Sequence, residues 1–434
     1  MIKLKFNIVI VSILITVFSG CNSGTSSFQL SITNPVSIDR KDALVVLTRD
    51  LLQKKIGTIA SGKFVSVKDP GGKDIVVQFD DMDGDGNWDE AVFLCSLKAS
   101  EEAKFTIEVS GKGTLKAATA MAHVRQKKKL AGRGFGPVIT EDTMPDKNPP
   151  TDFSVTPLPP YLTEGPSWEN DKVAFRQYFD TRNGKDIFGK IVPGMVMDTI
   201  GINVNNSYHQ LSNWGMDILH VGNSLGAGAI AFKLKENGKD TLIRLGGNSI
   251  KNETYKEIAD GPVRAIFKIK YEWTLAGKPV QVIDETSIWG GQYFYQTKVS
   301  IKNAPSNIKL VTGIPDFYDN KSDHLTLDSA AILYSYGRQS ENHDELGMAI
   351  LIPKENFVSV GETPKENQTG AVVYKSEIFD THYISQIISN GTAGVYRFYS
   401  GWEKTDKNFT SLDYFKNFLK EQATFFSNPI RIKW

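Results

Sequence analysis

The stretch VRAIFKIKYEWTL at residues 263–275, followed after a short turn by VQVIDETSIW at 280–289, is rich in β-branched and aromatic residues and predicts two long strands. Similar runs elsewhere in the chain are KVAFRQYFD, GAGAIAFKL, YFYQTKVSIK, THYISQIIS and GVYRFYSGW. Near the end, SLDYFKNFLKEQATFF has helical spacing instead. The sequence therefore predicts an all-β fold with few helices, in which the large domain is a broad antiparallel sandwich of two sheets.

The length of the chain, 434 residues, exceeds the usual size of one domain, so two domains are expected. Residues 28–115 contain short apolar segments between turn signals, a spacing typical of a small β-sandwich. Residues 116–166 are predicted to be a proline-rich linker. Residues 167–434 are then the large catalytic domain.

The N-terminus, MIKLKFNIVIVSILITVFSGC, has two lysines, an apolar run and small residues before Cys21. Residues 1–21 are predicted to be a secretory signal that resembles the lipobox of bacterial lipoproteins, with Cys21 as the acylated residue. Residues 22–27 are predicted to be a flexible tether. This predicts an outer membrane lipoprotein, facing the periplasm, that is tied to the membrane through its lipid. The alternative is a plain signal peptide with an incidental cysteine.

The charge balance argues against a nucleic acid as partner. Fifty basic and forty-nine acidic residues give a formal net charge of +1, without the basic excess that a phosphate backbone requires. The basic run Lys127–Lys129 is interpreted as a solvated loop.

An acidic loop, DDMDGDGNWDE, lies in the predicted small sandwich. Its first half matches an EF-hand loop, in which alternate oxygens bind a hard cation and a glycine makes the turn. The twelfth position is Val92 rather than glutamate, and the flanks read as strands, so a shorter calcium loop is expected. The alternative is a bare acidic turn. The calcium would be structural, no organic cofactor is predicted, and the expected ligands are Asp81, Asp83, Asp85, Asn87, Asp89 and Glu90.

The densest polar cluster in the large domain begins at the strand VAFRQYFD. In this strand Arg176, Tyr178 and Asp180 are expected on one sheet face. An arginine clamps a carboxylate with two parallel hydrogen bonds, and a tyrosine moves protons or stacks, so this face suits an acidic sugar. Some thirty residues later Tyr208 and His209 add a phenol and an imidazole. The alternative is a surface ion pair of Arg176 with ordinary loop aromatics.

Three stretches carry a resemblance to a known family: WENDKVAFRQYFDTRNGKDIFGK, YHQLSNWGMDILHVGNSLGAG and DDMDGDGNWDE. They resemble a family of Bacteroidota lipoproteins that is catalogued as a domain of unknown function and includes ulvan oligosaccharide dehydratases. The resemblance covers nearly the whole mature chain. It implies a galactose mutarotase-like supersandwich, and a dehydratase that acts on a terminal uronic acid and leaves a 4,5-unsaturated sugar.

The implied reaction sets the residue types to look for. Removal of the proton on carbon 5 builds negative charge on the carboxylate, and Arg176 is expected to neutralise it. His209 is the expected base, Tyr208 or Tyr178 the acid for the leaving hydroxyl, and His343 a reserve base. Substrate contacts are assigned to Trp168, Trp214, Asp180 and Lys190.

Two other functions fit the same residues. A polysaccharide lyase would expel a sugar instead of water, and an open cleft would favour it over a closed pocket. A carbohydrate-binding lipoprotein without catalytic activity would need only the aromatic residues and the arginine. The sequence leaves these alternatives open.

Overall fold

The computed structural model describes residues 27–113, 120–132, 134–145, 148–203, 205–236, 238–318, 321–366 and 377–434. The predicted signal segment, Cys21 and nearly all of the tether at 22–27 lie outside these residues. Among the helices of the described ranges, none has the length and apolar character needed to cross a membrane.

The N-terminal part folds into two small sheets and a short helix. Its elements are β1 (Ser27–Thr33), β2 (Arg40–Thr48), α1 (Arg49–Ile56), β3 (Phe64–Lys68), β4 (Gln78–Asp80), β5 (Glu90–Leu97) and β6 (Glu102–Ser110). Strand β6 pairs with β1 and β3, and β5 pairs with β2 and β4, all antiparallel. Alternate residues of both sheets face one apolar core that includes Leu30, Val45, Phe93 and Phe105. This is the small sandwich that the short apolar segments predict.

The remaining described chain consists mainly of strands. Its elements are β7 (Ala122–Arg125), β8 (Lys127–Lys129), β9 (Phe135–Val138), β10 (Glu141–Thr143), β11 (Ser167–Asn170), β12 (Val173–Gln177), β13 (Lys185–Lys190), β14 (Gly215–Asp217), β15 (Ile230–Glu236), β16 (Lys239–Arg244), β17 (Ile250–Ala259), β18 (Arg264–Leu275), β19 (Lys278–Trp289), β20 (Phe294–Lys302), β21 (Lys309–Pro315), β22 (Ser322–Thr326), β23 (Ala330–Arg338), β24 (Glu345–Pro353), β25 (Phe357–Glu362), β26 (Thr381–Ile387), β27 (Gly394–Trp402), α2 (Leu412–Ser427) and β28 (Arg431–Lys433).

Three large sheets organise these strands. The nine-stranded sheet has the order β10-β17-β18-β19-β20-β27-β24-β23-β22, and the two five-stranded sheets have the orders β14-β13-β12-β11-β7 and β16-β15-β21-β26-β25. Strands β18 and β19, which contain the opening stretch, pair over their whole length. Ala276 and Gly277 between them have φ values of 49° and 76°, the positive angles of a two-residue hairpin turn.

One large core joins the three sheets. It contains Phe175 of one five-stranded sheet, Phe232 of the other, and Phe267 and Tyr295 of the nine-stranded sheet. The nine-stranded sheet therefore forms one layer and the five-stranded sheets the other. The all-β prediction, with a small N-terminal sandwich, a large antiparallel sandwich and few helices, is confirmed.

The structure differs from the predicted domain boundaries at two places. Strands β7 and β10 fall within the predicted linker, yet β7 pairs with β11 and β10 pairs with β17 in the large sheets. The last strand, β28, pairs with β1 of the small sandwich. Both segments supply hydrogen bonds to strands that would otherwise be edges, and proline content alone does not predict this.

Strand β7 is held in place by a half-buried histidine. His123 lies between two carboxylates, with Nδ1 2.9 Å from Asp260 and Nε2 3.2 Å from Asp198. Burial on its own would lower the pKa of His123, but the two carboxylates raise it to about 10. This part of the predicted linker is therefore clamped to the large domain.

Candidate active site

Arg176 lies in strand β12, and Asp186 on the neighbouring strand β13 is its direct cross-strand partner. Asp186 Oδ2 accepts from Nε at 3.0 Å and from Nη2 at 2.6 Å. Nη1 donates to Glu164 at 2.9 Å and to the Thr163 carbonyl at 3.1 Å, and Nη2 also donates to the Tyr178 hydroxyl at 2.7 Å. These bonds use all five N–H groups of a guanidinium that is fully buried. Arg176 therefore cannot clamp a substrate carboxylate, and the role predicted for it is corrected to that of a buried support.

Tyr178 and Asp180 lie in the same closed network. The Tyr178 hydroxyl lies 3.3 Å from Asp186, and burial raises the pKa of this phenol well above its ordinary value. Asp180 is also buried, and its Oδ2 accepts from Arg182 Nη2 at 2.5 Å. Asp180 is thus a partner of Arg182 rather than the predicted sugar contact.

Arg182 was not predicted as a site residue, although it lies in the quoted stretch that surrounds Arg176. Its Cζ atom lies 3.7 Å from the centroid of the Tyr178 ring, and Nη2 donates to Glu164 at 2.6 Å. A quarter of its side chain is exposed. It is therefore a cation of this network that a ligand can reach.

Two of the predicted sugar contacts are buried in the core. Trp168 has 0 % exposure and packs against Phe175 and Tyr295, with ring centroids 5.8 and 5.2 Å away. Lys190 Nζ forms a buried ion pair with Glu169 at 2.7 Å. A side chain without exposed surface cannot stack on or bind a sugar, so both assignments are wrong.

The loop between β13 and β14 brings the predicted base and acid together above the buried network. The rings of Tyr208 and His209 lie 4.5 Å apart, and Tyr208 also packs against Phe188 at 5.6 Å. Arg176 Cζ lies 5.8 Å from the Tyr208 ring. Trp214 stacks on Phe188 at 6.2 Å and is half-buried, which leaves part of its ring available.

The His209 side chain is largely exposed, and the inner edge of its ring faces a buried carboxylate. Its side chain is 62 % exposed, and Nδ1 lies 3.5 Å from Oδ2 of the buried Asp217. Burial of this inner edge and the charge of Arg176 lower the pKa of His209 below its ordinary value. Burial also raises the pKa of Asp217 well above its ordinary range, with Asp186 adding to the effect. At neutral pH the imidazole is therefore uncharged and able to accept a proton.

The pKa of Tyr208 is shifted in the opposite direction. Burial raises the pKa of its phenol, and the charge of Arg176 counters part of that rise. The phenol therefore keeps its proton at neutral pH. The proton acceptor His209 and the proton donor Tyr208 are thus adjacent, and the Arg176 cation lies next to Tyr208.

His343 lies on a neighbouring loop rather than beside His209. Its ring centroid is 6.3 Å from that of Tyr318, whose hydroxyl donates to Glu341 at 2.5 Å. Glu341 also lies 3.8 Å from His220 and acts electrostatically on His209. These residues form an exposed or half-buried rim next to the Tyr208–His209 pair. His220, Tyr318 and Glu341 were missed, because their sequence positions give no sign that their loops meet.

The acidic loop of the small sandwich brings three carboxylates together. Oxygen atoms of Asp81, Asp83 and Asp89 lie within 4.8 Å of one another, which fits a calcium ion. Asp85 is not in this group, and its Oδ1 accepts from the backbone N–H of Asn87 at 2.7 Å. The loop lies between β4 and β5, and its residues 83–87 are exposed.

Glu90 does not belong to that group. Its carboxylate accepts from Arg264 Nη2 at 2.5 Å, and Asp80 binds the same guanidinium at 2.6 Å. This pairing connects the small sandwich to strand β18. The assignment of Glu90 as a calcium ligand is therefore corrected to an ion pair between the two parts of the molecule.

Comparison with known proteins gives the family. A match to the family described as Domain of unknown function (DUF4861) covers residues 32–432. The chain belongs to the DUF4861 family. A relative, "Uncharacterized protein P7" of Formosa agariphila, is 26% identical over 371 residues, which cover 78% of this chain and 79% of the relative.

Solved structures from Enterococcus faecalis are also similar to this DUF4861 chain. An alpha-mannosidase has a TM-score of 0.47 and 8% identity, with 94% of this chain and 46% of the mannosidase covered. A protein in the glycosyl hydrolase family 38 has a TM-score of 0.49 and 9% identity, with 94% and 47% covered. The chain spans about half the length of each of these structures.

Proposed function

We propose that this chain is an oligosaccharide dehydratase. It removes water from the uronic acid at the non-reducing end of an anionic, ulvan-type oligosaccharide and leaves a 4,5-unsaturated uronate. The observation that carries the proposal is the Tyr208–His209 pair, in which an exposed, neutral imidazole adjoins a protonated phenol above a buried arginine. Elimination of water needs one group of each kind. The resemblance to ulvan oligosaccharide dehydratases supports the choice of substrate.

His209 acts as the base in this proposal. A proton held on Nδ1, which faces Asp217, leaves the lone pair on Nε2 to take the proton from carbon 5. The electrons of the C5–H bond form the C4=C5 double bond as the C4–O bond breaks. Asp217 touches no substrate atom in this scheme and is a positioning residue for the imidazole.

Tyr208 acts as the acid. It gives its proton to the hydroxyl that leaves carbon 4, so that water departs and a phenolate remains. The nearby charge of Arg176 stabilises that phenolate. Proton exchange with solvent then restores neutral Tyr208 and neutral His209, which balances the reaction. Arg176 therefore acts through Tyr208 and not on the sugar.

The negative charge that develops on the substrate carboxylate needs a cation that the sugar can reach. We assign this role to Arg182 instead of Arg176. Nε and Nη2 of Arg182 are used by Asp180 and Glu164, whereas Nη1 has no partner among the described residues. Trp214, whose ring is half-buried, is assigned to the face of a neighbouring sugar.

Attachment to the outer membrane through a lipid on Cys21, with the enzyme facing the periplasm, completes the proposal. A lipid anchor would keep the enzyme near imported oligosaccharides. Cys21→Ser is expected to move the protein from the membrane fraction to the soluble fraction. A variant that stays with the membranes would contradict this attachment.

The proposed activity is tested by incubating the chain with a panel of uronate-terminated oligosaccharides. Near-ultraviolet absorbance reports the new double bond, and chromatography reports chain length. Absorbance that grows without chain shortening is the expected result. Shortened chains would identify a polysaccharide lyase, and complexes without any product would identify a binding protein.

A further inference from the structure

A cavity of about 320 Å³ lies next to the Arg182 end of the buried network. Its wall includes Arg182, Gly222, Arg244, Asn248 and Ser249. These residues come from the turn between β12 and β13, the loop after β14, the end of β16 and the turn that precedes β17. The size falls within the range of about 300–1,000 Å³ that is typical of small-molecule sites.

Arg244 is a nearly buried cation in this wall, with 5 % exposure. Its guanidinium donates to three backbone carbonyl oxygens, those of Asn223 at 2.6 Å, Ser224 at 2.9 Å and Arg182 at 3.5 Å. Nε–H and one N–H of Nη1 have no partner among the described residues. In that part of the chain no carboxylate forms an ion pair with Arg244, so its charge is not neutralised.

Arg125 provides a comparison, as a buried arginine with only a structural role. It too has no acidic partner in the described part of the chain, but it is completely buried and does not line this cavity. Its nitrogens donate to carbonyl oxygens of Met197, Leu162 and Gly165 and to the Thr163 hydroxyl. In contrast, Arg244 lines the cavity, and its Nε has no partner among the described residues, whereas each guanidinium nitrogen of Arg125 has one.

The buried charge of Arg244 has an energetic cost that a bound anion would offset. Burial lowers its pKa to about 10, so the side chain is still positive at neutral pH. Arg182 provides a second cation in the wall. Carboxylates and sulfates match the two-pronged geometry of a guanidinium.

We propose that this cavity is a subsite for an anionic group of the sugar chain, a carboxylate or a sulfate ester, with Arg244 as its main ligand. That the anion belongs to a sugar rests on the proposed function, whereas the recognition of an oxyanion rests on Arg244 and the cavity. Asn248, which is exposed at the wall, is placed to touch the same group.

The test is calorimetric titration of the full chain with two probes, glucuronate and a monosaccharide sulfate. The decisive variant is Asn248→Asp, which adds a negative charge at the wall and leaves the contacts of Arg244 in place. Asn390→Asp is the matched control, because Asn390 is exposed and lies outside the cavity. Asn248→Asp is expected to weaken binding at least tenfold, and Asn390→Asp to leave it unchanged. Arg244→Lys should also weaken it, since a point charge replaces the fork.

Preference for glucuronate would assign the subsite to the uronate carboxylate, and preference for the sulfate would assign it to a sulfate ester. If neither probe binds the wild-type chain, or if Asn248→Asp binds as the wild type does, the subsite is wrong. These outcomes are independent of turnover. Binding that is weakened by Asn248→Asp, without any dehydration, would support the subsite and reject the proposed function. Dehydration together with binding that Asn248→Asp leaves unchanged would support the proposed function and reject the subsite.

Discussion

Two buried arginines, in neighbouring parts of the large domain, have opposite surroundings. Arg176 donates every N–H group to protein atoms, and its charge is balanced by Asp186 and Glu164. Within the described residues Arg244 donates to backbone carbonyls alone, and it lines a cavity. Both side chains are almost without exposed surface, so burial alone does not separate them. The bonding partners separate the two arginines. An arginine whose charge is neutralised supports the fold, while an arginine with spare N–H donors is suited to bind a ligand.

The largest expected effect concerns the chemistry above the Arg176 network. His209→Ala is expected to lower turnover by roughly a hundred- to ten-thousand-fold, the usual contribution of a proton-transfer group. Affinity for the oligosaccharide should stay close to that of the wild type, since the imidazole acts mainly in the transition state. His324→Ala, on the exposed strand β22, is the matched control for loss of an imidazole.

The pH profile adds a second readout for His209. The base must be neutral, so wild-type turnover rises with pH through the folded-state pKa of His209, which lies below its ordinary value of about 6.5. Above that pKa the profile is flat until another group titrates. The variant should lack this acidic limb. Near wild-type turnover in His209→Ala would pass the role of base to His343 or a tyrosine.

The next effect compares the two arginines directly. Arg176→Met leaves the buried Asp186 without a cationic partner and removes one of the two arginines that bind Glu164, so it is expected to lower the free energy of unfolding by about 3–5 kcal/mol. Arg244→Met removes hydrogen bonds to carbonyl oxygens and should cost about 1–3 kcal/mol. Urea unfolding of both variants measures the difference. Equal losses would contradict the view that only Arg176 is part of a neutralised network.

His123 extends the comparison to a third cation, which is half-buried. Replacing it with glutamine should cost about 1.5–3 kcal/mol, the range for hydrogen bonds to charged groups. Its folded-state pKa of about 10 lies above the unfolded value of about 6.5, so the stabilisation is complete below pH 6.5 and disappears as the pH rises to about 10. Unfolding at pH 6 and pH 10 should therefore show a large deficit at the lower pH and a small one at the higher. A deficit that does not change with pH would rule out the charged pair.

The smallest effect is expected at the acidic loop of the small sandwich. If Asp81, Asp83 and Asp89 bind calcium, chelation should lower the melting temperature by about 2–4 °C, and Asp83→Ala should do the same. The variant should then no longer respond to the chelator. A melting temperature that neither treatment changes would leave the loop as a bare acidic turn.

The fold was largely predictable because its signals are local. The hairpin of β18 and β19 follows from two strand-forming runs and a tight turn, and the helix predicted at 411–426 is confirmed as α2. Helix α1 was missed, because its start follows directly on an apolar strand and is marked only by the capping residue Thr48. Strand β28 was missed because its partner β1 lies some 400 residues away in the sequence.

The candidate site was less predictable because its partners are distant. Alternation correctly grouped Arg176 and Tyr178 near each other, but the acids that enclose Arg176 come from other turns and strands. Only the three-dimensional positions of these partners show that every N–H group of Arg176 is used and that Arg244 has N–H groups without a partner among the described residues. Basic residues in the quoted stretch after Arg176 could have suggested Arg182. Nothing local distinguishes Arg244 from a surface arginine at a strand end.

One measurement tests the central claim most directly: the mass of the product formed from an oligosaccharide whose terminal uronate carries deuterium at carbon 5. Dehydration by His209 removes that deuterium together with the hydroxyl of carbon 4, so the product should have lost one deuterium-containing water and no sugar. A shortened chain whose original terminal uronate still carries the deuterium would indicate a lyase, because a lyase removes the C5 proton of an internal uronate that bears a sugar on O4. Recovery of the intact, deuterated oligosaccharide, or of a shortened one that keeps its deuterium, would contradict the proposed reaction.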